Sequence, residues 1–220
     1  MKKLSFVLVS LITLLTLSSC KNAINLEMYL SEIRSVAYEC LANEYEITVY
    51  AEEKESPYLS DGFVAEMKKY VTVKIESYQT SLSDASVIVN YGDNSIFGKF
   101  EYSPLNGKFI TEIEVSELPV ENSIEVIVKE SGEEKIFTAE KVALKGSISY
   151  KTALDKVAYF KSKEIEKMLS GNGASIEARV RILVEGGGVY YFVSITDVSG
   201  KTFAYLVDGQ TGEIVAEKEC

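Results

Sequence analysis

Apolar and polar residues alternate along much of the chain between residues 45 and 142. Ile47, Val49 and Ala51, for example, occupy every second position of one run, which is the period of a strand with one buried face. Turn-forming residues separate the runs, and all three prolines lie in these breaks. Seven strands are predicted, at 45–51, 71–76, 87–91, 96–102, 109–115, 124–128 and 136–142. We expect them to form a β-sandwich over residues 45–145.

The segment 26–41 precedes this region and fits two structures. Its apolar residues recur at spacings of three and four, which favours an amphipathic helix of about four turns. Val36, Tyr38 and Cys40 also alternate and lead directly into the first predicted strand. We favour the helix, and a first strand of the sandwich is the alternative. Residues 20–44 are therefore read as a tether followed by this ambiguous element.

The pattern changes in the last part of the chain, residues 146–220. Ser149 can cap a helix, and an apolar stripe follows it as far as Leu169, before a Gly-Asn-Gly stop. Alternating runs then predict three antiparallel strands and a short return, at 176–184, 189–195, 203–207 and 214–216. The expected fold is thus mainly β with an α+β part, in which one helix packs on an antiparallel sheet.

The turn between the last two predicted strands can be explained by local chemistry. Asp208 can accept hydrogen bonds from the amides that follow it, and Gly212 can adopt a positive φ at little cost. Asp208, Gln210 and Glu213 also offer oxygen atoms, but they do not have the spacing of an EF-hand calcium loop. We therefore expect a structural turn and no metal site.

Three short motifs carry a resemblance to a known family. They are Ala153-Leu154 near the helix start, Tyr190-Tyr191-Phe192 in a strand, and the close Val207-Asp208 followed by Thr211-Gly212-Glu213-Ile214-Val215. Together they resemble a PepSY domain, and the β-sandwich before it resembles an immunoglobulin-like or fibronectin-like domain by its strand number. The Gly-rich link between helix and first strand departs from the PepSY pattern. The resemblance implies a module of exported bacterial proteins that acts by binding and is often proposed to restrain peptidases.

The first nineteen residues have the features of an export signal. Lys2 and Lys3 precede an uncharged apolar run at 4–17, which is shorter than the about 20 residues of a membrane-spanning helix. The sequence Leu17-Ser18-Ser19-Cys20 resembles a bacterial lipobox. This resemblance implies cleavage before Cys20 and a diacylglycerol on its thiol, and two acyl chains are enough for stable membrane anchoring. We expect a lipoprotein on the extracytoplasmic face of a bacterial cell membrane.

Composition narrows the chemistry that such a protein can perform. Histidine and tryptophan are absent, which excludes catalytic sites and zinc sites built on histidine. Asp and Glu outnumber Lys and Arg by 33 to 23, and a net charge of −10 excludes sequence-independent binding to nucleic acids. Besides Cys20, only Cys40 and Cys220 remain. A disulfide between them is permitted, and two free thiols are the alternative.

The sequence therefore predicts a binding protein that is not an enzyme and needs no cofactor. Its 14 tyrosines suit contact surfaces, and Tyr190 and Tyr205 are the candidates for a partner-binding face of the last sheet. The expected partner is a polypeptide or another envelope protein, captured by an open strand edge. The alternative is a structural or adhesive spacer without a specific ligand.

Overall fold

The computed structural model of the protein describes residues 24–43, 45–57, 65–77, 84–104, 107–142, 146–170, 176–185 and 187–220. Of these residues, 62% lie in strands and 13% in helices, which confirms the mainly β prediction. The predicted signal peptide and the lipid attachment residue Cys20 lie outside the described residues.

The described residues form thirteen strands and two α-helices after a short 3-10 helix at Leu26–Tyr29. The first nine strands are β1 (Leu30–Leu41), β2 (Tyr45–Glu55), β3 (Met67–Ser77), β4 (Ser86–Tyr91), β5 (Asn94–Lys99), β6 (Glu101–Ser103), β7 (Lys108–Val115), β8 (Ser123–Glu130) and β9 (Glu133–Lys141). They are followed by α1 (Tyr150–Phe160), α2 (Ser162–Leu169), β10 (Ile176–Glu185), β11 (Gly188–Asp197), β12 (Thr202–Asp208) and β13 (Ile214–Glu219).

The helix that we favoured for residues 26–41 is wrong, because most of this segment is strand β1. One edge of β1 pairs with β2 along most of the strand. The other edge pairs with β10 near its start and with β9 near its end. These ladders provide hydrogen-bond partners for the main chain on both edges of β1. Apolar residues on both faces of the strand are buried. A strand buried in this way shows no clean period of two, which explains the misleading pattern.

The strands β1 to β9 nearly close into a barrel. The chain of hydrogen-bonded neighbours runs β5–β4–β8–β9–β1–β2–β3–β7–β6. β5 lies next to β7 at Gly98, where an added Cβ would stand 2.6 Å from Oγ1 of Thr111. The seven predicted strands match β2 to β9, with the run 96–102 divided at Phe100 into β5 and β6. One curved sheet therefore surrounds the core, where the sequence predicted two sheets packed face to face.

The last part of the chain packs α1 and α2 on one face of β10, β11 and β12. The apolar cluster between them includes Leu154, Val157, Ile165, Val180 and Val193. Our prediction of one long helix is wrong, because Lys161 leaves the helical region with φ −113° and ψ 20°. The apolar stripe of α1 ends at Ala158, and residues 161 and 162, where it would continue, are Lys and Ser. Ile165 and Met168 of α2 are buried and continue the apolar face of α1.

Strand β1 connects the two parts of the molecule. Leu30 and Ala37 belong to the apolar cluster under the helices, whereas Tyr38 belongs to the cluster inside the barrel. The β1–β10 pairing is parallel, and every other strand pair of the described residues is antiparallel. The strands before the change of sequence pattern and those after it therefore belong to one continuous sheet, joined by the pairing of β1 with β10.

The predicted helix cap at Ser149 and the predicted turn at Asp208 are confirmed. The Ser149 hydroxyl accepts a hydrogen bond from the Thr152 amide at 3.2 Å. Oδ1 of Asp208 accepts from the amides of Gln210 and Thr211 at 2.9 and 2.7 Å, and Gly212 has a φ of +74°. These hydrogen bonds lower the pKa of Asp208, with the Thr211 amide as the main cause.

The two cysteines considered for a disulfide are both free. Cys40 lies near the end of β1, and Cys220 follows β13, so β10, β11 and β12 stand between their strands. Among the described residues, we find no helix with the length and apolar character needed to span a bilayer.

Candidate functional site

The open edge of strand β13 is the first component of the candidate site. Among the described residues, β13 pairs with β12 alone. Thr202 and Cys220 exchange two main-chain hydrogen bonds, at 2.9 and 3.1 Å. Because bonded and non-bonded pairs alternate in an antiparallel ladder, the amide and carbonyl groups of Glu217 and Glu219 point away from β12. They offer a partner strand free donors and acceptors.

Two cavities lie between this strand and the helices. The larger, about 830 Å³, is lined by Lys156, Phe160 and the segment 211–217. The smaller, about 400 Å³, is lined by Glu164, Phe203 and Tyr205, among others. Lys161 and Glu217 line both cavities and form an ion pair, which therefore stands between them. We call the two cavities together with the outer side of β13 the edge groove.

Exposed apolar side chains border the larger cavity. Phe160 at the end of α1 is 58% exposed, and Val215 on β13 is also exposed. The ring of Tyr159 packs edge-on against that of Phe160, with centroids 5.2 Å apart. Rigid aromatic rings that remain exposed next to an open strand have the character of interface anchors.

Tyr205 forms part of the smaller cavity. Its side chain is only 3% exposed, and the ammonium of Lys161 lies 5.7 Å from the ring centroid. Burial raises the pKa of Tyr205 to about 12, and the carboxylates of Glu164, Glu217 and Glu219 add to this shift. The phenol is therefore protonated at neutral pH and is surrounded by acidic groups.

Tyr190 and Tyr205, which the sequence analysis proposed for one partner-binding face, lie on opposite faces of the sheet. Tyr190 pairs with Asp208 across β11 and β12, whereas Tyr205 pairs with Val193. Because side chains alternate along a strand, Tyr205 faces the helices and Tyr190 faces away from them. Tyr190 is half-buried on that outer face, so a single binding face does not contain both residues.

A second polar feature is the charge cluster where β1 meets β2 and β10. Arg181 binds Glu32 with two hydrogen bonds of 2.5 Å, from Nε and from a terminal nitrogen. Nε of Arg34 donates to Glu52 at 2.7 Å, and the Thr72 hydroxyl donates to the same carboxylate at 2.6 Å. Since the charges are paired with one another, the cluster is built to join strands.

The pKa of Glu32 is the net result of opposing effects in this cluster. Burial alone raises it, but the hydrogen bond from Arg181 and the positive charges of Arg181, Arg34 and Arg179 lower it below the ordinary value of 4.5. Glu32 is therefore ionised at neutral pH. No group of acidic or cysteine side chains within the described ranges could hold a metal ion.

Among the residues of the edge groove that the sequence analysis did not assign to a binding face are Phe160, Lys161, Glu164 and Val215. A signal for Phe160 existed, because Tyr159 and Phe160 lie off the apolar stripe formed by Ala153, Leu154, Val157 and Ala158. Lys161 and Glu164 carried no such signal, since charged residues on a helix are ordinary surface residues.

Comparisons with known proteins identify no family for this chain. No protein-family model, no curated protein and no solved structure matches the chain.

Proposed function

We propose that the protein binds an extended stretch of polypeptide, which adds as a strand to the open edge of β13. The observation that carries the proposal is the outward row of main-chain groups at Glu217 and Glu219 beside two cavities. Strand addition supplies affinity through main-chain hydrogen bonds, and side-chain cavities supply specificity. The larger cavity, with Phe160 and Val215, suits an apolar side chain of the partner.

A spacer without a ligand is the competing function, and one observation favours it. β13 contains an irregularity next to Val215 and ends in the charged residues 217–219, and both features protect sheet edges from unwanted pairing. The cavities and the exposed aromatic pair have no role in a spacer. We therefore prefer peptide binding.

The proposal includes the cellular setting that the sequence implies. The body would be tethered through a lipid on Cys20 to the outer side of a bacterial membrane, where a polypeptide or an envelope protein would be the partner. The last part of the chain would act as a PepSY-like binding module, and restraint of a peptidase would be one result of holding an extended segment. The nearly closed barrel of β1–β9 would act as the support that carries this module.

A proline substitution at the open edge tests the binding mode. Glu217→Pro removes an amide that points away from β12, so the β12–β13 ladder is retained while a donor to the partner is lost. Glu217→Ala is the matched control, because it removes the same carboxylate and keeps the amide. Peptides are selected from a displayed random library on the purified full chain, and their dissociation constants are measured.

We expect the selected peptides to bind Glu217→Pro at least about 5-fold more weakly than Glu217→Ala, as for the loss of one hydrogen bond, because both variants lack the carboxylate and only the proline variant lacks the amide. Bound peptide should also slow hydrogen exchange of the Glu217 and Glu219 amides. Equal binding to both variants, or unchanged exchange at these amides, would contradict strand addition.

A further inference from the structure

The smaller cavity of the edge groove contains a buried phenol without a hydrogen-bond partner. Tyr205 is 97% buried, and among the described residues its hydroxyl forms no hydrogen bond. The oxygen is not sealed in the core, because Tyr205 lines the cavity and no side-chain oxygen fully shielded from solvent lacks a partner. The hydroxyl is therefore an open hydrogen-bonding group on the cavity wall, and a polar group that enters the cavity finds a partner there.

The carboxylates around this phenol are not all compensated. Glu217 pairs with Lys161, and Glu219 pairs with Lys201 at 2.7 Å. Glu164 is half-buried and forms no ion pair with any other described residue. Lys218 also lines the cavity, but alternation along β13 directs its side chain to the sheet face opposite to that of Glu217 and Glu219. On the helix side of the strands, the cavity thus has one carboxylate more than its cations balance. The net charge of −10 adds a long-range attraction for positive groups.

We propose that this cavity binds a cationic side chain, arginine or lysine, of the polypeptide that adds to β13. The phenol oxygen of Tyr205 accepts a hydrogen bond from the cation, and the carboxylate of Glu164 supplies the opposite charge. The ring of Phe203, which lines the same cavity, already faces the ammonium of Lys201 at 4.8 Å and shows that the wall accepts a cation. The inference rests on the proposed function and defines the chemistry of its partner.

A pair of small probes tests the cavity without a peptide. N-acetyl-arginine amide and N-acetyl-citrulline amide have nearly the same shape, and only the first is charged. Each is titrated into the full chain and followed by amide chemical shifts in α2 and β13. We expect the arginine probe to bind about 10-fold more tightly than the citrulline probe, as for a charge-assisted hydrogen bond.

Two substitutions and one control localise the effect. Glu164→Gln and Tyr205→Phe should each remove most of the preference for the arginine probe. Glu166→Gln makes the same change of charge at an exposed position of α2 and should leave the preference intact. Equal binding of the two probes, or the same loss in Glu166→Gln as in Glu164→Gln, would overturn the inference.

Library peptides separate this inference from the proposed function. Peptides that slow hydrogen exchange at the Glu217 and Glu219 amides and bind equally well with citrulline in place of arginine would support strand addition and contradict the cation site. A preference for the arginine probe without any peptide that slows exchange at these amides would support cation binding in the cavity and contradict strand addition.

Discussion

Removal of the buried carboxylate Glu52 should destabilise the protein more than most single changes. Glu52 is 2% exposed and accepts hydrogen bonds from Arg34 and Thr72. Without it, the Arg34 guanidinium, whose side chain is 12% exposed, keeps only a 3.8 Å ion pair with Glu32 and its position 4.5 Å over the Tyr50 ring. A buried charge left without its partner costs about 3–5 kcal/mol.

We expect Glu52→Leu to cost about 3 kcal/mol, the lower end of that range, because Arg34 retains Glu32 and some solvent. The double substitution Arg34→Met with Glu52→Leu should recover stability to within about 1 kcal/mol of the wild type, since the buried Arg34 charge is removed together with its partner. The remaining loss comes from the Thr72 hydroxyl, whose acceptor is gone, and from Lys54 and Lys74, which lose the nearby carboxylate.

Urea denaturation followed by tyrosine fluorescence and far-ultraviolet circular dichroism measures these differences. Glu114→Leu serves as the control, because it removes a carboxylate from the exposed ion pair with Lys68 and should leave the denaturation midpoint nearly unchanged. The prediction is wrong if Glu52→Leu shifts the midpoint no more than Glu114→Leu does. It also fails if the double variant is less stable than Glu52→Leu.

Two further predictions concern other parts of the sheet. Because the folded-state pKa of Glu32 lies below its ordinary value of 4.5, its stabilising contribution is present above that pH and is lost as the pH falls. The free energy of unfolding should therefore decline less steeply below about pH 5 in Glu32→Gln than in the wild type, and parallel curves would refute this. Gly98→Ala should cost about 1–3 kcal/mol, because its Cβ would meet the Thr111 side chain at 2.6 Å. Added Thr111→Ala should restore part of that loss in the same urea assay, and an unchanged deficit would show that β5 and β7 do not approach as described.

Short-range features of this protein were readable from the sequence. The period of two located β2 to β9, because a strand with one buried face alternates regardless of its neighbours. The Ser149 cap and the Asp208 turn were also predictable, since each depends on hydrogen bonds between residues two or three positions apart. Of the residues that line the edge groove, Tyr205 is the one that the sequence analysis assigned to a partner-binding face.

Long-range pairing decided the rest. Residues 30–41 form a strand because β2, β9 and β10 satisfy its main chain, and none of these partners is visible in the local period. The helix breaks at Lys161 although Leu154, Ala158 and Ile165 would share one face of an unbroken helix, so the apolar stripe gave no signal of the break. The groove exists only where the end of α1 and the start of α2 lie beside the open edge of β13. The sequence alone determined which residues alternate, and tertiary structure decided which of their faces and edges remain available to a partner.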